Sequence, residues 1–340
     1  MKLSRMFSMA KKDVVIITRE SFFLYMVAMP IVMSLILTAA LGSVGTAKPS
    51  IAIYGDGEIV SILEEEPSLN VTIFSSEKDL REAVLEGEYD GGLLVSPAPK
   101  LLISGKSLLN ERVTIGATLV NAFREVSGKE ETILFETKEI GTDEYPWKVR
   151  FIPFLTIFAV VVAGMIISAS LIEEREKKTL NAVLVTPITP LEFIMAKALF
   201  GLFLGLILGI IILVLNGALT SGFLLIMLFL ILGTTFTVAL GLMAGVVMDN
   251  ITDLITRIKI FGVILYFPAL IIMFPQIPQW LGKFFPTYYF IDPIFSITQK
   301  GAGWSDVWWE AVILVVCDVI VLALAAKVLR KRMLGKKIKA

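Results

Sequence analysis

The chain has 340 residues, 56% hydrophobic and only 18% charged, with one cysteine, no histidine and a formal net charge of zero. Together with a mean hydropathy of +0.80, this excludes an ordinary soluble domain and indicates a protein that crosses a membrane several times. A lone Cys317 rules out disulfides within the chain, and without histidine any metal site would have to be built from carboxylates.

Residues 1–21 come first. Leu3, Met6, Phe7, Ala10, Val14 and Ile17 recur at helical spacing, with Lys11, Lys12 and Arg19 elsewhere. The pattern predicts an amphipathic helix in the membrane interface. A crossing helix needs about 20 apolar residues, and residues 22–42 qualify as the first span. Ala40-Leu41-Gly42 imitates a signal-peptidase site. The apolar stretch is far longer than a signal core, however, and a charged segment precedes it, so an uncleaved anchor is expected.

Residues 43–149 break the membrane pattern. They are acidic, with 19 Asp and Glu against 10 Lys and Arg between Ser43 and Lys148. Residues 51–54, 71–74 and 89–95 read as strands and residues 77–85 and 110–126 as helices, with turns at Gly91-Gly92 and at 96–99. That alternation suffices for one small α/β domain. Gly105-Lys106-Ser107 is not a nucleotide-binding loop, because Lys100 stands where the motif requires glycine.

Five further spans are predicted within residues 150–328, at 151–172, 193–215, 223–248, 259–274 and 307–326, followed by a basic tail at 329–340. Gly201, Gly205 and Gly209 share one helix face, as do Gly241 and Gly245, which predicts close packing between spans. Lysine and arginine gather before the first span, in the second-to-third loop, after the fourth span and at the C-terminus. By the positive-inside rule that side is the cytoplasm and holds both termini. The 43–149 domain is then extracytoplasmic, and the basic tail can attract anionic lipid headgroups.

The loop between the second and third spans is the densest in signals. Glu173 and Lys177, and Glu174 and Lys178, are acid-first pairs four apart, favouring a helix. Leu180, Val183 and Leu184 form a short apolar stripe before Pro187, and Thr189-Pro190-Leu191-Glu192 is a capping signature for a new helix. A force on the short helix would reach two spans at once. Asp318 lies mid-span, where an ionised carboxylate is costly. It either lines a cavity, binds a cation or carries a proton, or is protonated and hydrogen-bonded between helices. Phe284, Phe285, Tyr288 and Tyr289, with Trp280, Trp304, Trp308 and Trp309, fit an interfacial aromatic belt.

Residues 173–193, Glu-Glu-Arg-Glu-Lys-Lys-Thr-Leu-Asn-Ala-Val-Leu-Val-Thr-Pro-Ile-Thr-Pro-Leu-Glu-Phe, resemble the coupling-helix region of ABC-2 type permeases. Lys11-Lys12-Asp13-Val14 with Arg19-Glu20 resembles that family's opening elbow helix, and residues 285–293 its loop between the fifth and sixth spans. Lys178 departs from the pattern, where the family often has glycine. The resemblance implies a mainly α-helical polytopic membrane protein: six transmembrane helices of the ABC-2, type V exporter-like fold, plus the small α/β extracytoplasmic domain. It further implies a half-transporter in the cell membrane that pairs with a second copy or a homologue. Two separate ABC ATPase subunits would dock at a coupling helix spanning 173–189 and hydrolyse ATP with Mg, so this chain needs no cofactor and is not itself an enzyme. The implied ATPase contacts are Glu173, Glu174, Arg175, Glu176, Thr179, Leu180 and Leu184. Phe284, Phe285, Tyr288 and Tyr289 would help to form an outer gate. The apolar spans favour a lipid, drug or similar amphiphile as exported cargo, with sodium or polysaccharide export as alternatives. Nucleic acid is not expected as a partner. Rival readings are an ATP-independent secondary transporter working through Asp318 and a membrane-anchored scaffold for the outer domain.

Overall fold

A computed structural model describes residues 12–15, 18–41, 48–95, 99–107, 109–127, 136–140, 147–177, 190–219, 222–274 and 276–335. The chain divides into two compact units, one comprising Met1–Gly42 with Arg150–Ala340 and the other Ser43–Val149.

In the Ser43–Val149 unit the chain runs β1 (Ser50–Tyr54), α2 (Glu58–Glu65), β2 (Asn70–Ile73), α3 (Glu77–Glu86), β3 (Gly91–Leu94), β4 (Lys100–Ser104), α4 (Leu109–Ser127) and β5 (Glu136–Ile140); α1 belongs to the other unit. The five strands form one sheet in the order β2-β1-β3-β4-β5. β1 is parallel to β2 and β3, β3 is antiparallel to β4, and β4 is parallel to β5. Side chains alternate across the sheet as strand geometry requires. Ile51, Ile53, Leu93, Leu101 and Ile103 face α2 and α4 through Leu63, Ile115 and Leu119. Ala52, Leu94 and Leu102 face α3 through Leu80 and Val84.

The sequence signals need correction in four places here. Gly91 and Gly92 make no turn but open buried strand β3. A Cβ on Gly92 would come within 2.7 Å of Leu80 and 3.0 Å of Val84, so its absence lets α3 lie close on the sheet. Helix α2 and strands β4 and β5 had no sequence signal strong enough to stand out. β5 (Glu136–Ile140) is the edge strand beside β4, with Lys138 exposed.

The larger unit holds α1 (Ser21–Leu41), α5 (Trp147–Glu176), α6 (Pro190–Leu215), α7 (Phe223–Val247), α8 (Ile251–Met273), α9 (Tyr288–Phe295) and α10 (Trp304–Gly335). All but α9 are long and apolar enough to cross a membrane, giving six candidate spans among the described residues. α5 is the most enclosed of them. Its Gly164 backbone lies against α7, where a Cβ on Gly164 would overlap the Thr237 carbonyl and one on Gly241 would overlap the Gly164 carbonyl. On α6, Gly201 is filled by Ile167 and Val238, Gly205 by Thr234 and Ala163, and Gly209 by Leu230. These glycines are packing positions, consistent with close helix association in membranes. Asn216, at the end of α6, donates to Ser34 Oγ of α1 at 2.8 Å, and Thr38 Oγ1 bonds Asn216 Oδ1 at 3.3 Å.

The fifth span starts well before its predicted boundary at 259. Asn250 caps α8 by accepting from the Asp253 amide at 2.8 Å, and Asp253 pairs with Arg257 one turn on at 2.7 Å. Arg257 therefore belongs to the helix rather than to a loop after the fourth span. A hydropathy window discards these charged turns, while capping and an acid-first pair build them.

Candidate functional site

α5 ends at Glu176, so Glu173, Glu174, Arg175 and Glu176 continue a spanning helix and do not start a separate one. Residues 178–189 of the predicted coupling segment, including Thr179, Leu180 and Leu184, lie outside the described residues.

At this foot of α5 the structure gathers a compact charged cluster. Lys197 of α6 is fully buried, and its Nζ donates to Asp13 Oδ1 at 2.7 Å, Ser170 Oγ at 2.7 Å and Glu174 Oε1 at 3.3 Å. Lys12 reaches the same Glu174 oxygen at 2.7 Å. Two lysines thus face two carboxylates, and three chain segments are joined: residues 12–15, the end of α5 and the start of α6. Burial pushes the Asp13 carboxyl above its ordinary range, an effect only partly opposed by Lys197. A second tie lies nearby, where Lys177 Nζ bonds Glu20 at 2.8 Å and also bonds Glu173. The Lys177 ammonium, as hydrogen-bond donor, holds the Glu20 carboxyl below its usual range.

Several sequence expectations take a different form here. Glu173 pairs with Lys177 as its spacing suggests. Glu174 is buried and turned toward Lys12 and Lys197, so in this structure it is a tie within the chain. Arg175 points to the C-terminal end of α7, donating to the Val246 carbonyl at 3.1 Å and to the Met248 carbonyl. A guanidinium there satisfies carbonyls that the helix end leaves open and suits the negative end of its dipole. Glu176 is exposed. In the N-terminal segment Asp13 is buried and anchors residues 12–15 to the rest of the unit, while Val14 is exposed; Leu3, Met6, Phe7, Ala10 and Ile17 of the expected apolar stripe lie outside the described residues. Asp13 and Lys197 were missed because a single charge beside an apolar run carries no sequence signal of its partner, 184 positions away.

Arg175 offers a direct check on its role. Replacing it by methionine is expected to remove about 1.5–3 kcal/mol, the range for hydrogen bonds to a charged group. Thermal unfolding of the purified chain in detergent would show it, and an unchanged transition would mean that the capping bonds contribute nothing.

Of the aromatic residues proposed as a gate, Tyr288 and Tyr289 meet edge-on with ring centroids 5.6 Å apart, while the two phenylalanines pack elsewhere. Phe284 is exposed and meets Trp280 edge-on, whereas Phe285 packs on Phe267 with ring centroids 5.2 Å apart. Tyr288 is buried against Gly282, and the Tyr289 hydroxyl donates to the Lys283 carbonyl at 2.9 Å. α9 begins with the two tyrosines and inserts Phe290 at Gly233 of α7. Asp318 faces inward on α10, only 5% exposed, and neither of its oxygens has a hydrogen-bond partner among the described residues.

A cavity of about 450 Å³ lies between α5, α7 and α8. Val161, Phe236, Leu240, Met243 and Ile258 form much of its wall. Its size is typical of sites for small molecules. Among the described residues no cluster of carboxylates or cysteine suited to a metal ion occurs.

The model of a family described as "ABC-2 family transporter protein" matches residues 21–327. Two curated relatives, each called "Inner membrane transport permease YhhJ", from Escherichia coli (strain K12) and Shigella flexneri, are 28% identical over 175 residues. The match takes in 45% of this chain and 43% of each relative, so the chain spans less than half the length of the curated relatives it matches.

Proposed function

The chain belongs to the ABC-2 transporter family, and from that premise we propose that it is the permease subunit of an ATP-driven exporter whose ATP is hydrolysed by a separate ABC ATPase. The observation that carries this reading is the buried Lys197 cluster. Its hydrogen bonds and ion pairs tie the foot of α5, the start of α6 and residues 12–15 together at the point where the segment resembling a coupling helix begins. A push on that segment would move two spans and the N-terminal segment together, which is what a permease driven by an external ATPase requires. Transport permeases in its family support the non-enzymatic role, as do the names of the curated relatives.

On this reading the lysine- and arginine-rich side is cytoplasmic, the Ser43–Val149 unit is outside, and two permease copies make one pathway. The cavity walls favour a hydrophobic or amphiphilic cargo over a sugar. The test is co-expression with an ABC ATPase encoded beside the gene. A stable complex whose ATP turnover rises with the permease present is expected. If no ATPase copurifies and vesicles carrying the permease alone transport, the secondary-transport reading replaces it.

A further inference from the structure

The cavity between α5, α7 and α8 is apolar along most of its wall, but two polar groups break that pattern. Ser168 of α5 lines it, is only 1% exposed, and its Oγ has no hydrogen-bond partner among the described residues. The Oγ itself is closed off from the cavity, so an occupant reaches it through a rotation about χ1; a buried hydroxyl left without a partner is costly, which favours that rotation. Arg257 of α8 also lines the cavity. Its Nε is engaged by Asp253 at 2.7 Å, while neither Nη group has a bond among the described residues. The mouth opens where Val247, Phe261 and Ile264 are exposed, on a face made of spanning helices. Arg257 and Ile264 are separated by roughly 10 Å along the helix axis at 1.5 Å per residue. That leaves an apolar slot extending away from the guanidinium.

We propose that this cavity is a binding site for a membrane amphiphile with one acyl chain in the slot and an anionic phosphate head on Arg257, with Ser168 bonding the linkage beneath the head. The head is chosen by donor geometry and not by net charge. Asp249 and Asp253 lie close to Arg257 and offset its long-range pull, so discrimination depends on two parallel Nη–H donors, which suit a phosphate. Arg175, fixed on the carbonyls of Val246 and Met248, adds a positive charge beside cavity residues Val247 and Met248. The acyl chain is available from the surrounding bilayer, and apolar burial supplies most of the affinity. This inference narrows the cargo class proposed above and rests on that reading only for transport; occupancy of the cavity does not require an ATPase.

The full-length protein in detergent would be titrated with three lipids of equal acyl length and followed by native mass spectrometry. The probes are lysophosphatidylglycerol, lysophosphatidylcholine and an uncharged monoacylglycerol. Lysophosphatidylglycerol and lysophosphatidylcholine, which carry the same phosphodiester, are each expected to bind about tenfold more tightly than monoacylglycerol. Arg257 is largely exposed, so Arg257→Gln should fold normally; it should abolish the preference and retain weak chain binding. Val247→Trp, placed at the half-open mouth, should reduce binding of all three. Equal binding of the charged and uncharged lipids, a preference that survives Arg257→Gln, or binding indifferent to Val247→Trp would each overturn the proposal. Complete cross-linking of two copies through Phe261→Cys in a Cys317→Ser background, without lipid, would make a second copy the occupant and would also overturn it. Lipid binding that persists where no ATPase complex forms would leave this site standing and remove the exporter reading.

Discussion

Lys197→Met is expected to destabilise the protein by about 3–5 kcal/mol, the cost of leaving a buried charge without its partner. The Lys197 ammonium bonds Asp13, Ser170 and Glu174 from a fully buried position. Its loss strands Asp13 Oδ1, while Glu174 keeps Lys12. Asp13→Asn is expected to cost less, because burial already penalises the charged carboxyl and holds its pKa above the ordinary value. The double variant Asp13→Asn with Lys197→Met should recover part of the loss, giving a coupling energy that two independent substitutions would lack. The pH dependence has a definite sign. Between the ordinary Asp pKa and its raised native value, the folded protein binds more protons than the unfolded chain, so stability contributed by this group falls as pH rises through that window. Mild acid should therefore not release the N-terminal segment at Asp13, and the slope should vanish in Asp13→Asn. Unfolding curves followed by tryptophan fluorescence across a pH series would read both effects. A Lys197→Met protein as stable as the parent would remove the cluster as a structural tie.

The second large effect concerns coupling. Glu176 is the last residue of α5 and exposed, immediately before the segment that resembles a coupling helix. Glu176→Arg is expected to lower permease-stimulated ATP turnover about tenfold, equivalent to about 1.4 kcal/mol of lost interaction, while leaving folded yield unchanged. A charge reversal on an exposed position should act on association, and raising the concentration of the ATPase should restore part of the activity. Unchanged stimulation would place the docking surface elsewhere. Comparison with Lys197→Met separates the two roles, since only the buried position should move the unfolding transition of the permease alone.

Hydropathy over a helix length and strand alternation are local quantities, so the membrane class, the approximate positions of six spans and the inserted α/β unit were legible along the chain. So were the glycine seams, since small residues four apart lie on one helix face whatever they meet. Local signals were weaker where local chemistry was mixed: α8 gained two turns from a cap and an ion pair that a hydropathy window discards, and Gly91-Gly92 proved to be a strand made close-packing by the absence of side chains. Which charges are partners emerges from folding alone. Asp13, Glu174 and Lys197 come together from three distant segments, and nothing in a run of neighbours reveals a contact made through folding. The same holds for the cavity, whose Ser168 and Arg257 stand on different helices and become one surface only when α5, α7 and α8 pack.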